Sequence, residues 1–307
     1  MPSVPPPERA EHRFAADARS RIHGRVMAGA FVLLWCTGYP AGKIAVAHAG
    51  PFVLLLLRFS LAALVFIALA AWSDAGWPSW RAIGHSAVVG LLSLALQFAG
   101  VYWGLHLGVS TGVAALIVGA LPLATGLVGR FFGERLGRVQ WIGLALGFAG
   151  VLLILRDRLA GGHADLTGYL CVLAGLFGLA LGNLYQKRHA GGIDIRVGLA
   201  VQHVAAAIAV APFALWLDHL RADGSAAFVM ATAWIVLVNA VAGFALMSAL
   251  LRRGEATQVA TLFYLMPAVT ALMGYVLLGE RLSPSMLPGF VLVVAGIRLA
   301  THRRAQR

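Results

Sequence analysis

The sequence predicts an all-α membrane protein, with ten transmembrane helices arranged as two inverted five-helix repeats. Three observations carry that fold class. The 307 residues are 60% hydrophobic and only 12% charged, where a soluble domain has roughly 25% charged residues, and the mean hydropathy is +0.83. A tetrad, Gly133-Glu134-Arg135-Leu136, recurs as Gly279-Glu280-Arg281-Leu282. Lysine and arginine are distributed in opposite senses over the loops of the two halves.

Hydropathy places the helices. A helix of ~20 apolar residues crosses a bilayer. The apolar runs give spans at 26–47, 52–72, 82–105, 109–129, 138–155, 166–186, 197–217, 227–250, 257–278 and 285–302. Residues 1–24 read as a polar cytoplasmic tail with four arginines, Arg9, Arg13, Arg19 and Arg21. The first apolar run lacks a small-residue cleavage pattern, so it reads as a span and not as a signal peptide. Pro51, Pro78 and Pro284 fall at span starts, where proline suits a first turn. Pro40, Pro122, Pro212 and Pro267 fall inside spans, where they should kink or interrupt the helix. The 36 glycines fit backbones in close approach within lipid.

The repeat fixes the arrangement. The register that matches the tetrads also matches Gly108 with Gly254, Thr111 with Thr257, Leu116 with Leu262 and Gly150 with Gly296. Pro122 and Pro267 stand one residue out of step, so the two kinks differ in position. The units are residues 25–160 and 161–303. Five spans per unit is an odd number, so the second must insert opposite to the first. The charges agree: Arg130, Arg135 and Arg138 follow span 4, whereas Arg281 alone follows span 9. Arg252 and Arg253 follow span 8, whereas only His106 follows span 3. The positive-inside rule then puts both termini in the cytoplasm. Inverted repeats with binding at their interface are typical of secondary transporters.

Polar residues inside apolar spans are the candidate pathway. Arg58 is the one basic residue well inside a span; charge there is expensive and faces a cavity or a partner. It reads either as an anchor for a substrate carboxylate or as a side chain snorkelling to the nearby interface. Gln97 and Tyr102 in span 3, Asn183 in span 6, Gln202 and His203 in span 7, Asn239 in span 8 and Tyr264 in span 9 serve a pathway or hydrogen-bond between helices. Trp35, Tyr39 and Tyr264 offer apolar or stacking contacts. Glu134 and Glu280, each at a span end beside its own arginine, read first as ion pairs or helix caps at a structural hinge, and second as proton-coupling groups. No carboxylate falls near the middle of any span, which speaks against a proton antiporter built on a buried acid. Transport is then facilitated diffusion, or is coupled through His203 or the terminal glutamates.

The paired Pro…Gly-Glu-Arg segments, with Trp35-Cys36-Thr37-Gly38-Tyr39-Pro40-Ala41-Gly42-Lys43 closing span 1, resemble the drug/metabolite transporter superfamily in its ten-span EamA-type branch. The resemblance covers residues 26–302. It implies two five-span bundles about a central pathway, alternating access, and movement of a small organic metabolite or drug outward across the inner membrane. Import and lipid handling or intramembrane catalysis are the rival readings.

Enzyme signatures are missing: no paired-histidine metal motif, phosphate loop or nucleophile elbow stands in the sequence. Neither a catalytic residue, a metal nor a cofactor is expected. Cys36 and Cys171 sit in apolar stretches and read as packing residues. The net charge of +12 is carried by loops and sets topology, so no nucleic-acid partner is expected. The expected partners are a small-molecule substrate and the lipid bilayer, with a homodimer open.

Overall fold

The structure, a computed structural model, describes residues 26–72, 76, 78–131, 137–160, 165–189, 192–243, 246, 266–280, 284 and 287–300. Ten apolar helical segments follow one another among them: α1 Val26–His48, α2 Pro51–Ala71, α3 Trp80–His106, α4 Thr111–Arg130, α5 Arg138–Ala160, α6 Leu166–His189, α7 Ile195–Trp216, α8 Ala226–Ala242, α9 Met266–Leu278 and α10 Leu287–Ala300. Six of these, α1 to α4 with α6 and α7, are long and apolar enough to cross a membrane as described; the other four are shorter apolar helices or helix segments. Their outward faces leave Leu64, Ile208, Met230, Val276 and Val291 exposed, as a chain solvated by lipid tails requires.

Packing follows the two-repeat plan. Helix α2 packs on α7, α4 on α9 and α5 on α10, each on its counterpart in the other repeat. Helix α3 packs on α6, and α8 on α1. These last two interfaces are copies of each other, exchanged by the axis that relates the repeats. Glycines make the close approaches. A Cβ on Gly175 would stand 2.6 Å from the Gln97 carbonyl oxygen, and one on Gly296 would stand 2.6 Å from that of Gly143.

Helix breaks appear at two of the four internal prolines. Helix α1 turns at Thr37, three residues before Pro40, and α4 turns at Ala120, two residues before Pro122. Each proline lacks the N–H that the carbonyl four residues earlier would receive. Pro212 leaves α7 continuous from Ile195 to Trp216, so this proline does not interrupt its helix. Pro267 is the second residue of the described part of α9 and faces Gly119 of α4, where a Cβ would meet its Cγ at 2.9 Å.

A second pair of irregularities has no signal in residue type. Leu91–Leu96 in α3 and Ile235–Ala242 in α8 are π-helical. The two segments begin at equivalent positions of the repeats, 144 residues apart. A π turn widens the backbone by one residue and is common at functional sites. Here it brings Ser93 and Asn239 to the bundle interior, both buried.

Candidate functional site

Between the repeats lies a cavity of about 510 Å³, within the range of small-molecule sites. Helix α1 lines it with Trp35, Gly38 and Tyr39, α2 with Arg58, and α3 with Ser93, Gln97, Phe98 and Tyr102. From the second repeat come Asn183 and Gln186 of α6, Gln202 of α7, Asn239 of α8 and Met266 of α9. The lining extends to Ile193 and Ile195, at the loop joining α6 and α7. Among the described lining residues Arg58 is the single charged group.

Arg58 points inward. It is 6% exposed, its guanidinium lies 3.6 Å from the centroid of the Phe98 ring, and Nη1 donates to Tyr102 Oη at 2.6 Å. The head group is thus held inside the bundle under an aromatic face. Its Nε is buried without a hydrogen-bond partner. Asn239 is held just as firmly. Its Nδ2 donates to the carbonyl oxygens of Leu34 at 2.6 Å and Trp35 at 3.2 Å, at the turn where α1 is interrupted. Two carbonyl acceptors fix which end of the amide faces them, so Oδ1 faces away, buried and unpartnered. Ser93 Oγ is the third buried polar atom of the lining in that condition. Asn239 packs against Gly38 and Ser93 against Gly182, and these glycines are equivalent positions of the two repeats.

Of the other residues singled out from the sequence, Trp35, Tyr39, Gln97, Tyr102, Asn183 and Gln202 line this cavity. His203 does not. Its Nδ1 is 2.8 Å from the Leu199 carbonyl oxygen, and its ring sits between Phe59 and Phe66, as a packed bundle residue. Tyr264 and Glu134 lie outside the described residues. Ser93 and Phe98 were missed. Phe98 had no signal, being an aromatic residue in an apolar run; Ser93 is a small polar residue in such a run, a weak one.

Above the cavity one face of the bundle is tied across the repeats. The Glu280 carboxylate accepts from the Thr111 backbone N–H at 2.9 Å and from its hydroxyl at 2.8 Å. It thereby caps α4, a helix of the other repeat, where a negative group meets the exposed N–H groups of a first turn. Asp218, buried although it lies in a loop, caps α2 by accepting from the Phe52 and Val53 N–H groups at 2.6 and 2.9 Å. Lys43 donates to the carbonyl oxygens of Leu105 and Val109 at 2.8 and 3.0 Å. His48 meets Asp223 at 2.6 Å, next to a one-residue antiparallel bridge between Ala49 and Ala222. Asp223 is pulled down to about 2, chiefly by the Ser225 N–H and hydroxyl and then by His48. In the loop between α6 and α7, Asp194 is also pulled below its ordinary value, first by its side-chain hydrogen bond with Arg196.

Comparison with known proteins places this arrangement. A probable amino-acid metabolite efflux pump of Salmonella typhimurium is 30% identical over 87% of this chain and 90% of its own length. Its namesake in Escherichia coli is 29% identical over 89% of this chain and 92% of its own. A probable terminal-alkyne amino-acid exporter of Streptantibioticus cattleyicolor is 26% identical, covering 90% of this chain and 92% of its own. A solved crystal structure, 23% identical, shares the fold with a TM-score of 0.63 over 91% of this chain and 96% of its own. The EamA-like transporter model matches twice, at residues 23–156 and 166–301, and the chain belongs to the EamA-like transporter family.

Proposed function

We propose that this protein exports small organic metabolites that carry a carboxylate, amino acids and their relatives among them, by alternating access across the inner membrane. One observation carries the reading: a buried guanidinium, with an unpartnered N–H, lines a central cavity that holds no other charge among the described residues. A buried donor left unmet costs about 1–3 kcal/mol, and a substrate carboxylate meets it. The names of the relatives support the same class.

Charge supports the orientation. By chain position the tied end carries Lys43, Arg156, Arg158 and Arg221, whereas the opposite end carries Arg81, Arg130, Arg138, Lys187, Arg188, Arg196 and Arg298, so the positive-inside rule favours an external tied face and cytoplasmic termini. The structure is then an externally closed state, with the cavity reaching toward the cytoplasmic loop between α6 and α7. Each repeat, 25–160 and 161–303, supplies one wall. With no carboxylate among the described cavity residues and His203 packed away from it, the transport reading is facilitated diffusion.

The test is movement of labelled leucine through purified protein in liposomes, alongside Arg58→Gln. Saturable movement, reduced about tenfold or more by Arg58→Gln, is the expected result. Wild-type rates in folded Arg58→Gln overturn the anchor.

A further inference from the structure

Two residues of the cavity wall each carry an unpartnered atom, and the two are of opposite character; only one has been given a ligand so far. Arg58 Nε is a donor, Asn239 Oδ1 an acceptor, and both atoms are buried without a hydrogen-bond partner. Their side chains are 6% and 7% exposed and both line the cavity. Such atoms are uncommon in folded proteins, and each asks for an explanation.

Asn239 is built into position. Its donor end is occupied by the carbonyls of Leu34 and Trp35, so the side chain cannot turn its N–H groups to the cavity without losing both bonds. It stands on a π-helical segment and against a glycine: a Cβ on Gly38 would come within 3.0 Å of its Nδ2. The end that α1 does not hold is therefore an acceptor only. Ser93 Oγ, the third unpartnered atom, can donate or accept and so does not discriminate. A bare carboxylate satisfies Arg58 and leaves Asn239 Oδ1 unmet. A bare amine satisfies Asn239 but brings a positive charge beside the guanidinium. A molecule with both groups meets both atoms.

We propose that Asn239 is the specificity-determining residue of this carrier: it accepts from the α-ammonium of a zwitterionic substrate whose carboxylate lies on Arg58, so that amino acids with apolar side chains are chosen over the corresponding acids. The proposal rests on the anchor reading of Arg58. The apolar side chain packs on the apolar part of the wall, to which Trp35, Phe98, Val101 and Leu179 contribute. A neutral amide, unlike a carboxylate, recognises the ammonium without holding it as a salt bridge, which suits a site that must also release its ligand.

The test is binding to the full chain in lipid nanodiscs, by titration calorimetry, with three probes of one skeleton: L-leucine, 4-methylpentanoate and leucinamide. Leucine binds about tenfold or more tightly than 4-methylpentanoate, and leucinamide is weakest. In Asn239→Leu the affinity for leucine falls to within about threefold of that for 4-methylpentanoate. The wild-type comparison needs no variant, so it decides the matter even where Asn239→Leu fails to fold. Equal wild-type affinities for leucine and its deaminated analogue overturn the proposal, as does a folded Asn239→Leu that still discriminates. If those affinities remain sensitive to Arg58→Gln, the anchor survives and only the Asn239 assignment is lost. If none of the three probes binds, or Arg58→Gln changes no affinity, the anchor reading falls and takes this proposal with it.

Discussion

Neutralising Glu280 should loosen the tied face, external in the proposed orientation. Glu280→Gln removes a charge that accepts from both the backbone N–H and the hydroxyl of Thr111. A hydrogen bond to a charged group contributes about 1.5–3 kcal/mol, and a carboxylate at a helix N-terminus about 0.3–1 kcal/mol. Glutamine keeps one acceptor oxygen and the site is half-buried, so the net loss is about 1–2 kcal/mol. Since 1.4 kcal/mol is tenfold, the population with this face open should rise about fivefold to thirtyfold. The reporter is a thiol introduced by Tyr39→Cys, one helical turn deeper than Lys43, in a background carrying Cys36→Ser and Cys171→Ala. Its labelling by a membrane-impermeant maleimide added outside should accelerate by the same factor. Thr111→Ala, which removes the hydroxyl and leaves the N–H, should give a smaller rise of a few-fold. Unchanged labelling in folded Glu280→Gln would refute the view that this carboxylate holds the face shut.

Other perturbations have equally definite outcomes. Lys43→Met leaves the Leu105 and Val109 carbonyls without their ammonium donor and should destabilise the protein by about 1–3 kcal/mol, read as a lower detergent melting temperature. Gly175→Val drives a side chain into the Gln97 backbone; separating α3 from α6 should cost about 1–3 kcal/mol, and a melting temperature equal to wild type would contradict the packing. The Asp223 carboxyl is lowered from 3.8 to about 2 on folding, so its contribution is complete above about pH 4 and is lost as pH falls through about 2. The melting-temperature difference between wild type and Asp223→Asn should therefore shrink as pH falls below about 4. Leucine movement should be indifferent to an imposed pH gradient, and collapse with that gradient would assign coupling to a titrating group.

The spans were legible because lipid admits backbone only where its polar groups are satisfied internally; the start of α6 at Leu166 coincides with its apolar run. The cavity was legible for a related reason. A polar side chain such as Arg58 or Asn239 is too expensive in lipid to be there by accident. What sequence could not supply was the partner of each group. Glu280 stands beside Arg281 in the chain, yet it caps a helix that begins 169 residues earlier. Asp218 sits in a loop and is nevertheless buried against α2. The π-helical segments read as ordinary apolar runs, Leu91-Leu92-Ser93-Leu94-Ala95-Leu96 and Ile235-Val236-Leu237-Val238-Asn239-Ala240, because an extra residue per turn is set by what packs on either side.

The two crossed interfaces, α1 with α8 and α3 with α6, carry a kinetic consequence. The axis exchanges them, so repeats that trade shapes would rebuild the opposite-facing carrier from the same joints. Yet the side chains at the joints are unlike: an amide faces Gly38 and a hydroxyl faces Gly182. A symmetric frame with unlike residues gives the cargo a different grip on each side of the bilayer. Detailed balance forbids an uncoupled carrier from shifting the final concentration ratio, but it permits different half-saturation concentrations at the two mouths. The carrier can thus fill readily from one compartment and back-fill slowly from the other.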